Sequence, residues 1–204
     1  MLNSALSIIH EEHRSLNAVV RGLRYLVLDS LQKGAAPDFG LLRAMVFYLD
    51  EFPEKLHHPK EDAYLFARLR ARTGEADAVI AELQQHHAES GQRIRDLESA
   101  LDRLESRADA GIDAFAAAVE GFSRSMLDHM ACEERTLIPI ARQHLSPEDW
   151  VEIGAAFGRN GDPRFDAEAD FEYRDLFSRI VKLAPPPIGS GSAKPGKPRL
   201  WNPG

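Results

Sequence analysis

The sequence predicts an all-α protein: an up-down-up-down four-helix bundle, followed by two short C-terminal helices and a flexible tail. Three observations carry this. Four long segments repeat apolar residues at spacings of three and four, as amphipathic helices do. The breaks between them are a few residues long, so successive helices run antiparallel. A histidine–glutamate unit also occurs twice, in His57-His58-Pro59-Lys60-Glu61 and His129-Met130-Ala131-Cys132-Glu133, which marks a duplication.

The first helix spans 4–33, with Ile9, His13, Leu16, Val20, Leu23 and Val27 on one face, and Gly34 with the following Ala-Ala-Pro stops it. The second opens at Asp38 as N-cap and runs through Leu42, Met45, Val46, Leu49 and Phe52 toward Leu69. Pro53 and Pro59 lie inside it and could kink or break it, but the second copy has no proline at the matching places, which predicts one bent helix rather than two, with Gly74 as its C-terminal cap. The third, about 75–107, carries Ile80, Leu83, His87, Ile94, Leu97, Leu101 and Leu104. The fourth, about 112–144, carries Phe115, Val119, Phe122, Met126, His129, Glu133 and Leu137.

The bundle therefore occupies 1–145, and 146–184 is a helical extension. Ser146-Pro147-Glu148-Asp149 reads as a helix start for a short helix with Trp150, Val151, Ile153 and Phe157. A further helix over 167–183 carries Phe171, Leu176, Phe177 and Ile180. These aromatics are expected on the outside of the bundle or between two copies in a homodimer. From 185 to 204 the chain turns to Pro, Gly, Ser and Lys, from which no packed core can be built.

Composition narrows the function. A net charge of −7 argues against a nucleic-acid partner, since phosphates want a basic face. The one cysteine, Cys132, allows no internal disulfide and points to a reducing compartment. The first residues lack the charged and apolar regions of a signal peptide, and no apolar run reaches the roughly 18 residues that span a bilayer. A cytoplasmic protein with no membrane partner is expected.

The duplicated unit carries the chemistry. Residues i and i+4 share a helix face, so His57 and Glu61 point one way, as do His129 and Glu133. Each glutamate is followed by a second acid (Asp62, Glu134) and an apolar pair (Leu65-Phe66, Leu137-Ile138). Each unit also has a histidine upstream on an apolar stripe, His13 at 44 residues and His87 at 42. His87 is preferred to His86 because Ile94 and Leu97 stand seven and ten residues on, matching Val20 and Leu23 after His13.

Four imidazoles and two carboxylates inside a bundle are costly to bury unless cations compensate them. His13, His57, Glu61, His87, His129 and Glu133 are thus the predicted ligands of two metal ions. Zinc would manage with fewer carboxylates; the mixed nitrogen and oxygen set suits iron better, or manganese. His58, about 100° round the helix from His57, is assigned behind the ligands or to solvent. His10 is placed on the surface near the site, His86 stands as the alternative to His87, and His144 suits a helix C-terminus. Cys132 reads as a small packing residue.

With these residues in place the chain resembles the hemerythrin-like (HHE cation-binding) domain. Phe52-Pro-Glu-Lys-Leu-His-His-Pro-Lys-Glu-Asp is close to that family's first repeat, and the resemblance covers about residues 4–144. The segment through Pro185–Pro187 is similar to an extension found in some bacterial members. The resemblance implies a four-helix bundle around two iron ions joined by an oxo or hydroxo bridge. Oxygen-carrying hemerythrins have an HxxxH pair on the third helix, where this chain has Leu83 and Gly91 four residues either side of His87. It implies instead the symmetric set of four histidines and two glutamates, found in members that respond to O2 or NO, repair iron centres or sense iron. Such symmetry does not favour reversible oxygen carriage. A di-iron oxidase or peroxidase, and an interaction bundle without metal chemistry, are the alternatives.

Overall fold

The computed structural model describes residues 2–34, 36–106 and 111–158, together with Lys182. Helix α1 (Leu2–Lys33) buries Ile9, Leu16, Val20, Leu23 and Val27 and ends at Gly34. The φ of +59° at Gly34 is a left-handed conformation that glycine adopts without a Cβ clash. Helix α2 covers residues 39–72 without a break. Its parts are an α segment Phe39–Leu49, a π segment Asp50–His57, an α turn His58–Lys60, a π segment Glu61–Phe66 and an α end Ala67–Arg72. As predicted, Asp38 caps it, its Oδ1 accepting from the Leu41 amide at 2.9 Å.

Both prolines stay inside α2 because the chain widens around them. A proline offers no N–H to an α-helical ladder, and the His58 amide reaches back five residues to the Pro53 carbonyl. The end of α2 differs from expectation. Thr73 is extended (φ −157°, ψ 146°), its hydroxyl accepts from the Glu75 amide at 3.1 Å, and Gly74 has no positive φ. A threonine-centred turn, rather than a glycine cap, stops this helix.

Helix α3 is Asp77–Ser106. Helix α4, residues 112–144, joins Ile112–Cys132, a π segment Glu133–Leu137 and Ile138–His144. Helix α5 is Pro147–Gly158. Each of α1 to α4 packs on the next, α4 returns to α1, and α5 lies along α1. Among the described residues no helix is long and apolar enough to cross a membrane.

The core is two apolar clusters with a polar layer between them. Toward one end stand Leu16, Val20, Leu49, Phe52, Ile94, Leu97, Phe122 and Met126. Toward the other stand Ile9, Leu65, Phe66, Ile80, Leu83, Leu137, Trp150, Ile153 and Phe157. Trp150 and Phe157 pack into this second cluster, on the bundle itself, while Val151 is 45% exposed. The expected helix over 167–183 and the tail over 185–204 lie outside the described residues, Lys182 apart.

Two places fix the ends of the bundle. A Cβ at Gly111 would stand 2.7 Å from Leu104 Cα and 3.1 Å from its amide nitrogen, so α3 and α4 meet there only because residue 111 is glycine. Backbone cannot yield as a side chain can, so Gly111→Ala should destabilise the chain by about 1–3 kcal/mol. An unchanged urea midpoint would contradict the close approach.

Asp149 secures α5. Its Oδ2 accepts from Arg72 Nε at 2.8 Å and from the Ser146 amide at 2.9 Å, and its Oδ1 accepts from Arg72 Nη2 at 3.0 Å. The Arg72 guanidinium, aided by Ser146, holds its pKa at about 2, below the ordinary 3.8. A depressed acid gives stability that is present above its unfolded pKa and lost as pH falls through the folded one. Melting temperature should therefore drop between about pH 4 and pH 2 more steeply in the wild type than in Arg72→Met. Parallel curves through that window would show that the pair contributes nothing.

Candidate metal centre

The polar layer is built by the helices' own periodicity. His13 lies between Ile9 and Leu16 on α1, and His87 between Leu83 and Ile94 on α3. On α2, His57 ends the first π segment and Glu61 begins the second; on α4, Glu133 begins the third. Such wide turns are rare and recur at functional sites.

The structure brings all six predicted residues together. Glu61, 0% exposed, stands between the two histidine pairs. Its Oε1 is 2.9 Å from His57 Nε2 and 3.9 Å from His13 Nε2. Its Oε2 is 3.0 Å from His87 Nε2 and 3.6 Å from His129 Nε2. Glu133 faces one side, with Oε2 at 3.0 Å from His13 Nε2. The donor atoms of His13, His57, Glu61 and Glu133 all lie within 4.8 Å of one another. The same limit joins a second group: His58, Glu61, His87 and His129.

Of the two placements the sequence leaves open for His58, behind the ligands or in solvent, the structure excludes solvent. His58 is 4% exposed and stacks on the His87 ring with centroids 4.2 Å apart. The step of about 100° per residue holds only for an α-helix; a π turn advances each residue by less, so His57 and His58 both face inward.

Three of the four predicted imidazoles are held from behind by carboxylates. Glu12 accepts from His57 Nδ1 at 2.5 Å, Glu134 from His13 Nδ1 at 2.8 Å, and Asp62 from His87 Nδ1 at 2.9 Å. Such contacts fix the tautomer and leave Nε2 as a donor toward the site. Asp62 on α2 supports a histidine of the second group, and Glu134 on α4 one of the first, so each repeat braces the opposite half. The acid after each HxxxE was visible in the sequence, without its role. Glu12, 1% exposed, was missed, although it falls three residues after Ile9 and four before Leu16, on the buried stripe. His129 lacks this support: its Nδ1 makes no hydrogen bond, and its neighbour is His86, with ring centroids 5.9 Å apart.

Electrostatics follow the same division. Burial works against charge on His57, but the Glu61 charge and the Glu12 and Glu61 contacts outweigh it and lift the pKa to about 9. His13 is raised despite burial, chiefly by Glu133, and His87 despite burial, by Glu61 and Asp62. Burial pushes His58 down to about 4. Burial and the Glu61 charge raise Glu133, whereas the His57 charge overcomes burial and lowers Glu61. Raised imidazoles thus face the lowered Glu61 from both sides, and a metal ion bound there would compete with their protons.

The residues fit metal ions. Both oxygens of Glu61 and of Glu133 are buried without a hydrogen bond, as are His87 Nε2 and both ring nitrogens of His58 and His129. Buried polar atoms in proteins are nearly always bonded, and these converge on the two sides of Glu61 with the donor types that bind a cation. The other histidines stand apart: His10 is exposed beside Arg14, Glu134 and Arg142, and His144 pairs with Glu75 at 3.0 Å. Cys132 is half-buried against the second apolar cluster.

Comparison with known proteins agrees with this geometry. The model of the hemerythrin HHE cation-binding domain matches residues 4–141. No curated protein and no solved structure matches the chain. With most of its length covered by that match, its all-α bundle and its paired histidine–glutamate groups, the chain belongs to the hemerythrin HHE cation-binding domain family.

Proposed function

We propose that this chain is a non-haem di-iron protein of the cytoplasm whose centre reacts with a small ligand, O2, NO or peroxide, in stress response, sensing or iron-centre repair. The observation that carries this is Glu61, which turns one oxygen to His13 and His57 and the other to His87 and His129. One ion on each side would share it, with Glu133 added at the first. Nitrogen and carboxylate donors in this proportion favour iron, with manganese or zinc as competitors.

Iron in such surroundings supplies one-electron chemistry and affinity for diatomic molecules. The protein supplies position and exclusion. Glu12, Glu134 and Asp62 orient three imidazoles, while Phe52, Phe66 and Phe157 pack against His57 and His87 and keep bulk water out. No predicted ligand side chain is more than 8% exposed, which suits a diatomic molecule and not a bulky substrate. Two carboxylates among the predicted ligands, Glu61 and Glu133, are few for a ferritin-like oxidase, whose sites take four.

The test is to reduce the iron-loaded protein without oxygen and mix it rapidly with NO or O2 while recording optical spectra. The proposal requires a fast spectral change with at least one gas. No change with either would sink it, and catalytic turnover of peroxide would favour the enzyme alternative.

A further inference from the structure

Resting on the metal reading above, we infer that His58 is a third imidazole ligand of the second half-site, so that the two metal positions are chemically unlike. The His58 side chain is buried, and neither ring nitrogen makes a hydrogen bond. Glu54 comes within 3.4 Å of Nδ1 without hydrogen-bond geometry. A buried imidazole left in that state is unfavourable unless something else takes its lone pair. One of its ring nitrogens is already within 4.8 Å of the donor atoms of Glu61, His87 and His129. The ring lies flat on His87 and edge-on to His129 with centroids 5.0 Å apart, and so is held among the donors by packing as well as by its backbone.

The duplication makes the assignment sharper. The residue after His57 is His58, whereas the residue after His129 is Met130, which belongs to the apolar cluster. The first repeat thus sends a second histidine across to the other half-site, whereas the second repeat sends a carboxylate, Glu133, and no imidazole. One position then has two imidazoles and two carboxylates (His13, His57, Glu61, Glu133). The other has three imidazoles and one shared carboxylate (His58, His87, His129, Glu61). Carboxylate oxygens favour the harder ion and the higher charge, while imidazole suits divalent iron, zinc or copper. An unequal pair also removes the symmetry that disfavoured reversible oxygen carriage.

The test titrates metal-free full-length protein with Co2+, followed by its visible spectrum and by calorimetry. Wild type should take up two ions in two resolved steps. His58→Ala and His58→Gln should each weaken one step by more than about 100-fold and leave the other unchanged, since even outer-shell partners are worth 10- to 100-fold. Both variants binding two ions as wild type does would overturn the assignment. A readout on the wild type guards against a variant that fails to fold: nitrogen-15 NMR of zinc-loaded, histidine-labelled protein. Five of the eight imidazoles should show a metal-bound nitrogen; four, with His58 unbound, would overturn the assignment even if two ions bind. Uptake of no cobalt at all would overturn both it and the metal reading beneath it.

Discussion

Glu61→Gln should strip both metals from the protein, and Glu133→Gln should cost chiefly the half-site of His13 and His57. The asymmetry follows from position. Glu61 offers an oxygen to each histidine pair, whereas Glu133 joins only the first group. An amide has one neutral oxygen and an NH2 that cannot bind a cation, so it serves one side at most and without charge. Losing outer-shell support alone costs 10- to 100-fold in affinity, so losing a shared inner carboxylate should exceed about 100-fold at each half-site. Metal analysis after dialysis should show Glu61→Gln holding well below one ion and Glu133→Gln about one. Equal retention by the two variants would mean that Glu61 does not join the half-sites.

Removing the metals should lower the melting temperature by roughly 10–20 °C. Each site filled at 100 times its dissociation constant adds about 2.7 kcal/mol, so two add about 5 kcal/mol. In a chain of this size each kcal/mol moves the midpoint by about 2–4 °C. The stripped protein must also keep Glu61 and Glu133 inside the bundle at 0% exposure, with the raised imidazoles of His13, His57 and His87 to offset them. Scans before and after chelation, repeated after metal is restored, measure the difference. Coinciding curves would show that the charged layer is satisfied without metal.

Where the α-helical period holds, the chain could be read directly. The apolar stripes of α1, α3 and α4 predict their buried faces, and the i, i+4 spacing brings Glu61 and Glu133 into the same layer as the four histidines. Where the period changes, less could be read: a π turn cannot be seen in a pattern tuned to 3.6 residues, so His58 was left between a place behind the ligands and solvent, and the structure buries it. Glu12 was hidden for another reason. An acid on an apolar stripe looks like an ordinary interruption until the imidazole it supports, on a different helix, is known. Gly74 was misread because glycine is a frequent cap, whereas Thr73 had the local hydrogen bond to end the helix first.

The central claim is that the polar layer between the two apolar clusters is a two-metal centre. Elemental analysis of the full chain, reconstituted with ferrous iron without oxygen and freed of excess metal, tests it most directly. About two iron ions per chain is the predicted result, one on each side of Glu61. A content near zero, in protein whose helicity is intact, would contradict it.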